Sequence, residues 1–105
     1  MSRVPEKAEA PEGTMNQLGY SHLQAGRTED AIRLFRLNTL AYPASANTYD
    51  SLADAYLANG QNELALRMSE KAIELLPKDR STEERKKAIR ESAEQKIAKL
   101  KGKGA

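Results

Sequence analysis

Shifted by 34 residues, the pattern of apolar, small and polar positions in this chain falls on itself. Leu18 lands on Leu52, Leu23 on Leu57, Ala31 on Ala65 and Pro43 on Pro77; Gly26, Glu29 and Arg33 land on Gly60, Glu63 and Arg67. A fixed period of this size belongs to stacked helical hairpins, in which each unit buries its apolar face against its neighbours. The matched residues have separate physical jobs. Gly26 and Gly60 stand where a first helix must end in a left-handed residue at no steric cost. Ala31 and Ala65 let a second helix approach the first, and Pro43 and Pro77 stop it, because proline donates no hydrogen bond to the helical ladder. Beyond the second copy, Ile89, Ala93, Ile97 and Leu100 are spaced 4, 4 and 3 and form one apolar stripe, which predicts a fifth helix. Ser81 with Glu84 has the Ser-x-x-Glu form of a capping box at its start.

On these residues the chain resembles the tetratricopeptide-repeat family, whose pattern runs W-x2-L-G-x2-Y, then Ala, Phe and a closing Pro. Residues 12–45 carry Leu18, Gly19, Ala31, Phe35 and Pro43; residues 46–79 carry Leu52, Ala53, Tyr56, Ala65, Ala72 and Pro77. Met15 and Tyr49 stand where the family has Trp, His22 where it has Tyr, Asn38 where a small residue is usual, and Ser69 in place of Phe, which thins the second core. The resemblance implies an all-α fold: two stacked helix-turn-helix units and a C-terminal capping helix, five helices in a right-handed α-solenoid. Helices are expected at about 12–25, 28–41, 46–59 and 62–75, with Thr28 and Ser45 as N-caps, and a fifth from Ser81 to about Leu100 within an 80–101 capping segment. Residues 1–11 and 102–105 read as disordered tails.

A narrower stretch, Phe35, Asn38 and Tyr42 through Tyr56 with Gly60, resembles the repeat pair at the C-terminus of some bacterial serine hydrolases of the esterase and β-lactamase-like kind. This resemblance covers 12–79, touches no catalytic domain, and implies an accessory module.

Composition agrees with a helical protein whose core is built from Ala, Leu and Ile: 39% hydrophobic, 30% charged and 5% aromatic. With no cysteine, disulfides and thiolate chemistry are excluded, and the single histidine, His22, excludes a multi-histidine metal site. No Gly-x-Ser-x-Gly, Ser-x-x-Lys, phosphate-binding glycine loop or His-Glu-x-x-His is present, so neither catalysis nor a cofactor is expected. His22 and Asn38 read as packed structural residues. The stretch Met1–Lys7 is charged and lacks the apolar run of a secretory signal, which leads to an expected cytoplasmic location unless the segment belongs to an exported parent.

Protein or peptide binding is the function that the resemblance implies. The family's geometry puts Asn16, Gln17, Tyr20, Leu23 and Gln24 of the first unit, and Asn47, Asp50, Ser51, Asp54 and Leu57 of the second, on a concave face, with Arg85 following from the cap. Asp50 and Asp54, one helical turn apart, are expected to create a local negative field suited to a basic or amide-rich segment. A carboxylate-clamp role is disfavoured, since of the matching inner positions Asn16, Tyr20, Ser51, Ser81 and Arg85 only the last is basic. Charge is unevenly distributed: residues 1–79 hold 8 Lys or Arg against 11 Asp or Glu, residues 80–105 hold 9 against 4. Nucleic-acid binding through Arg85, Lys86, Lys87, Arg90, Lys96, Lys99, Lys101 and Lys103 ranks lower, because glutamates interleave with these cations and no aromatic residue follows Tyr56. Self-assembly is the remaining alternative. A fifth helix ending at Leu100 is longer than a repeat helix, so its last two turns are expected to overhang and to offer Ile97 and Leu100, with Ile89 and Ala93 on the same stripe, to a second copy in a homodimer.

Overall fold

A computed structural model describes residues 11–103. Five α-helices follow one another: α1 (Glu12–Gln24), α2 (Thr28–Ala41), α3 (Ala46–Ala58), α4 (Asn62–Leu75) and α5 (Glu83–Lys103), with a 3-10 turn at Leu76–Lys78. No strand occurs among the described residues. The architecture is therefore an all-α helical repeat, as the period requires.

The two hairpin turns are built identically. Gly26 has φ 83° and Gly60 φ 78°, the left-handed region that favours glycine. In each turn the residue after the glycine reaches back five positions, Arg27 N–H to the His22 carbonyl at 2.8 Å and Gln61 N–H to the Tyr56 carbonyl at 2.9 Å. The glycine itself bonds Leu23 or Leu57 at 3.1 Å, completing a Schellman closure that satisfies the last carbonyls of the helix.

Expected caps differ in detail. Thr28 is the first residue of α2, not its cap; Ser45 is the N-cap of α3 as expected, but its hydroxyl donates to Glu12 Oε2 at 2.6 Å across the units while its carbonyl accepts from the Thr48 hydroxyl. The cap of α5 is Thr82, one residue after the expected Ser81: Thr82 Oγ1 accepts from Arg85 N–H at 3.1 Å, and Ser81 N–H is taken by Asp79 Oδ1 at 2.7 Å. Pro77 does not end α4 outright, since the chain first tightens into the 3-10 turn that contains it. At the far end α5 continues through Gly102 to Lys103, into part of the expected tail. Residues 1–10 and 104–105 of those tails lie outside the described residues.

Two apolar clusters hold the stack. The first joins Ala31, Ile32 and Phe35 of α2 with Leu52, Ala55 and Tyr56 of α3 and Ala65 of α4. The second joins Ala46, Ala72 and Leu76 with Ile89 and Ala93 of α5, so the cap is part of the core. The close approach of α1 to α2 depends on Gly19: a Cβ there would stand 2.3 Å from the Phe35 ring.

Candidate functional site: the inner face

In each hairpin the first helix contributes to one continuous face, with α1 against α3 and α3 against α5. α1 supplies Asn16, Gln17, Tyr20, Leu23 and Gln24. Gln17 and Gln24 are exposed and Asn16 is half-buried, its Oδ1 finding no hydrogen-bond partner among the described residues. Tyr20 and Leu23 are half-buried and pack on the first cluster, and the Tyr20 ring meets Phe35 edge-on with centroids 5.0 Å apart. From α3 come Asn47, Asp54 and Leu57, all half-buried.

Asp50 and Ser51 do not lie on an open surface. They are 6% and 1% exposed, and the expected negative field is partly offset from within. Lys96 of α5, itself 7% exposed, places its ammonium 2.8 Å from Asp50 Oδ1 and 3.1 Å from Asp54 Oδ1, with Ser92 Oγ accepting at 2.8 Å. On the other side the Tyr20 hydroxyl donates to Asp54 Oδ2. One polar chain thus runs across the three inner helices, Tyr20 to Asp54 to Lys96 to Asp50. Burial raises the Asp50 pKa, and the Lys96 hydrogen bond and charge only partly offset it. Burial, the Asp54 charge and the hydrogen bond to Asp54 together push the Tyr20 phenol far above its ordinary range.

Lys96 was legible only as one cation of a mixed basic segment. Its partners lie 46 and 42 residues back, outside the repeat period, so self-comparison of the sequence carries no signal for them. The reason is a displacement of α5. Repeat register would set position 88 beside Asp54, as Tyr20 stands beside it 34 residues earlier, yet Lys96 occupies that place. Eight residues correspond to about 12 Å along a helix. The non-helical Asp79–Thr82 segment delays the start of α5 and accompanies its shift along the groove.

That displacement corrects the expected overhang. Leu100 packs against the first cluster and Lys101 lies 3.5 Å from Glu70, so the C-terminal turns are supported. Ile89 and Ala93 are buried inside the chain and Ile97 is half-buried. It is the first turns of α5, around Glu83–Ala88, that are mostly exposed. Of the eight cations considered for nucleic acid, Lys96 is buried, Lys86 lies 3.7 Å from Glu83 and Lys101 is paired as above. The side chain of Lys103 lies outside the description.

Between α3 and α5 the face dips into a cleft of about 210 Å³ floored by Asp54 and Leu57 and walled by Ser92, Gln95, Lys96 and Lys99. A larger hollow of about 500 Å³ lies at the linker end, between Tyr42–Ser45 and Lys78–Ser81. Among the described residues no group of three His, Cys, Asp or Glu side chains is arranged to hold a metal ion, and no helix is long and apolar enough to cross a membrane.

Comparison with known proteins gives this geometry a family context. A tetratricopeptide-repeat family model matches residues 45–76, which are the second hairpin with its preceding serine. The match supports the tetratricopeptide-repeat family and agrees with the all-helical repeat architecture. Such repeats generally mediate protein–protein interaction. No curated protein matches the chain significantly.

Proposed function

We propose that the chain is a non-catalytic protein-interaction module that binds a peptide segment or partner protein along the inner face formed by α1, α3 and α5. The observation that carries this reading is the matched repeat at 45–76 set inside a stack whose inner helices leave Gln17 and Gln24 exposed, and Leu57, Gln95 and Lys99 around an open cleft. Tyr20 contributes as a fixed edge of the face, since its hydroxyl and ring are both engaged within the chain. Partner binding at a surface of this size falls in the class of interfaces under about 1,200 Å², where affinity is modest. The narrower resemblance of residues 12–79 to hydrolase tails supports an accessory role for the same face.

Peptides displayed on phage and selected on the immobilised chain supply the test. A selected peptide should shift the backbone amide resonances of Gln17, Leu23, Leu57, Gln95 and Lys99. Shifts confined to the outer positions of α2 and α4 would remove the inner face from consideration.

A further inference from the structure

The inner face carries two kinds of charge, and only one of them is free. Its carboxylates, Asp50 and Asp54, are both engaged by Lys96, and the remaining polar groups from α1 and α3 are uncharged amides and hydroxyls: Asn16, Gln17, Gln24, Asn47 and Ser51. The cations on this face that lack a carboxylate partner among the described residues therefore come from α5.

Along the sequence α5 is a mixture of cations and glutamates, but the helix sorts them. At 3.6 residues per turn, positions 85, 92, 96 and 99 share one edge within about 60°. Glu83, Glu84, Glu91 and Glu94 fall within about 100° of each other on the other side, all of them exposed. The cleft confirms the orientation of that edge, because Ser92, Lys96 and Lys99 line it. Arg85 and Lys99 are exposed, and neither has a carboxylate within 4.0 Å among the described residues. With Asp50 and Asp54 set against Lys96, Lys99 and Arg85, the edge keeps a surplus of positive charge beside the apolar Leu57.

We propose that the α5 edge of the groove receives acidic side chains of a partner peptide, one opposite Lys99 and one opposite Arg85, with an apolar residue over Leu57 beside the Lys99 contact. This assignment rests on the inner face being the binding surface, and it reverses the charge that the sequence pattern suggested for the partner. Arg85 and Lys99 are 14 residues apart, about 21 Å along the helix, a span that an extended segment covers in about six residues. Complementary charge at such a rim governs encounter and register. A nucleic acid is the weaker fit: two free cations make few phosphate contacts, and the ring of Tyr20, whose hydroxyl bonds Asp54 of the cleft, is already packed against Phe35.

The probe is a set of three 12-residue peptides, acetylated and amidated so that side chains alone carry charge, with leucines flanked by two Glu, two Lys or two Gln placed six residues apart. In a titration of the isotope-labelled chain at physiological salt, the Glu peptide should bind at least tenfold more tightly than the Lys peptide and shift Arg85, Leu57, Gln95 and Lys99. The variant Arg85→Glu with Lys99→Glu, both exposed positions whose loss leaves the core intact, should reverse that order while its circular dichroism stays unchanged. A Lys or Gln peptide that binds the same residues as tightly as the Glu peptide overturns the charge assignment and leaves the inner face standing. Shifts elsewhere, or none with any peptide, overturn both. A uridine oligonucleotide that binds this edge more tightly than the Glu peptide would reassign it to nucleic acid.

Discussion

The two hairpins share turns, spacing and small residues, yet they solve the same packing problem with opposite distributions of volume. In the first, glycine at position 19 lies under the ring of Phe35, which is fully buried. At the equivalent positions of the second stand Ala53 and Ser69, both at 0% exposure. A large side chain over a bare backbone is exchanged for a small one over a methyl group. The second unit regains apolar volume elsewhere, at Tyr56, where the first unit has the half-buried His22, whose Nδ1 accepts from Arg27 Nε at 2.8 Å. It also recruits α5, whose Ile89 and Ala93 close the second cluster. Charge follows the same division. Asn16 and Tyr20 in the first unit correspond to Asp50 and Asp54 in the second, and only the second therefore needs a cation from the cap. A repeat can keep its period while its core and its electrostatics diverge, provided each change is answered by a neighbour in contact.

The largest expected break in this comparison is Phe35→Ala, which should cost about 3–5 kcal/mol in urea denaturation, whereas Ser69→Ala at the matching position should cost almost nothing. The Ser69 hydroxyl is buried without a hydrogen-bond partner among the described residues, so its removal gives up no bond and can stabilise slightly. Similar losses at the two positions would show that the units are packed alike.

Next in size is Lys96→Met. It strands the buried Asp50 carboxylate and should cost about 3 kcal/mol, near the low end for breaking a buried pair. Adding Asp50→Asn, which copies the Asn16 of the first unit, should restore most of the loss. Additive costs in that double-mutant cycle would deny the coupling across α3 and α5.

Gly19→Ala should cost about 1–3 kcal/mol by overpacking, since its methyl would meet the Phe35 ring at 2.3 Å. Combining it with Phe35→Leu should recover part of the cost, and a neutral Gly19→Ala would mean that the ring moves aside freely.

Asp79→Ala is expected to cost about 1 kcal/mol at neutral pH, as for the loss of a cap. Asp79 and Ser45 are repeat equivalents: the Asp79 carboxylate accepts from Ala46 N–H at 2.7 Å, while the Ser45 hydroxyl donates to Glu12. Burial alone would raise the Asp79 pKa, but hydrogen bonds from Ser81 and Ala46 outweigh it and hold the carboxyl below 3.8. A depressed carboxyl contributes stability that is complete above the unfolded value and is lost as pH falls through the folded one. The gap between parent and Asp79→Ala should therefore narrow as pH drops below 3.8. A gap that is constant between neutral and strongly acidic pH would leave no role for the ionised form.

The sequence by itself determined the period, the five helices and, to within one residue, the ends of the four repeat helices. Those features are local: a glycine forced to positive φ, a proline that cannot donate, and alanines at helical spacing act within one or two turns. The tertiary structure alone decided where α5 sits and hence what the inner face offers. Every apolar residue of its stripe was visible, but sliding a regular helix along a groove by two turns preserves its amphipathic pattern. Register was instead fixed by the non-helical Asp79–Thr82 segment and by Lys96 meeting Asp50 and Asp54 from a distant part of the chain. A lysine has the same local preferences whether it ends in solvent or between two carboxylates. Its burial is set by long-range packing, and that burial turned an expected open acidic surface into an ion-paired cluster.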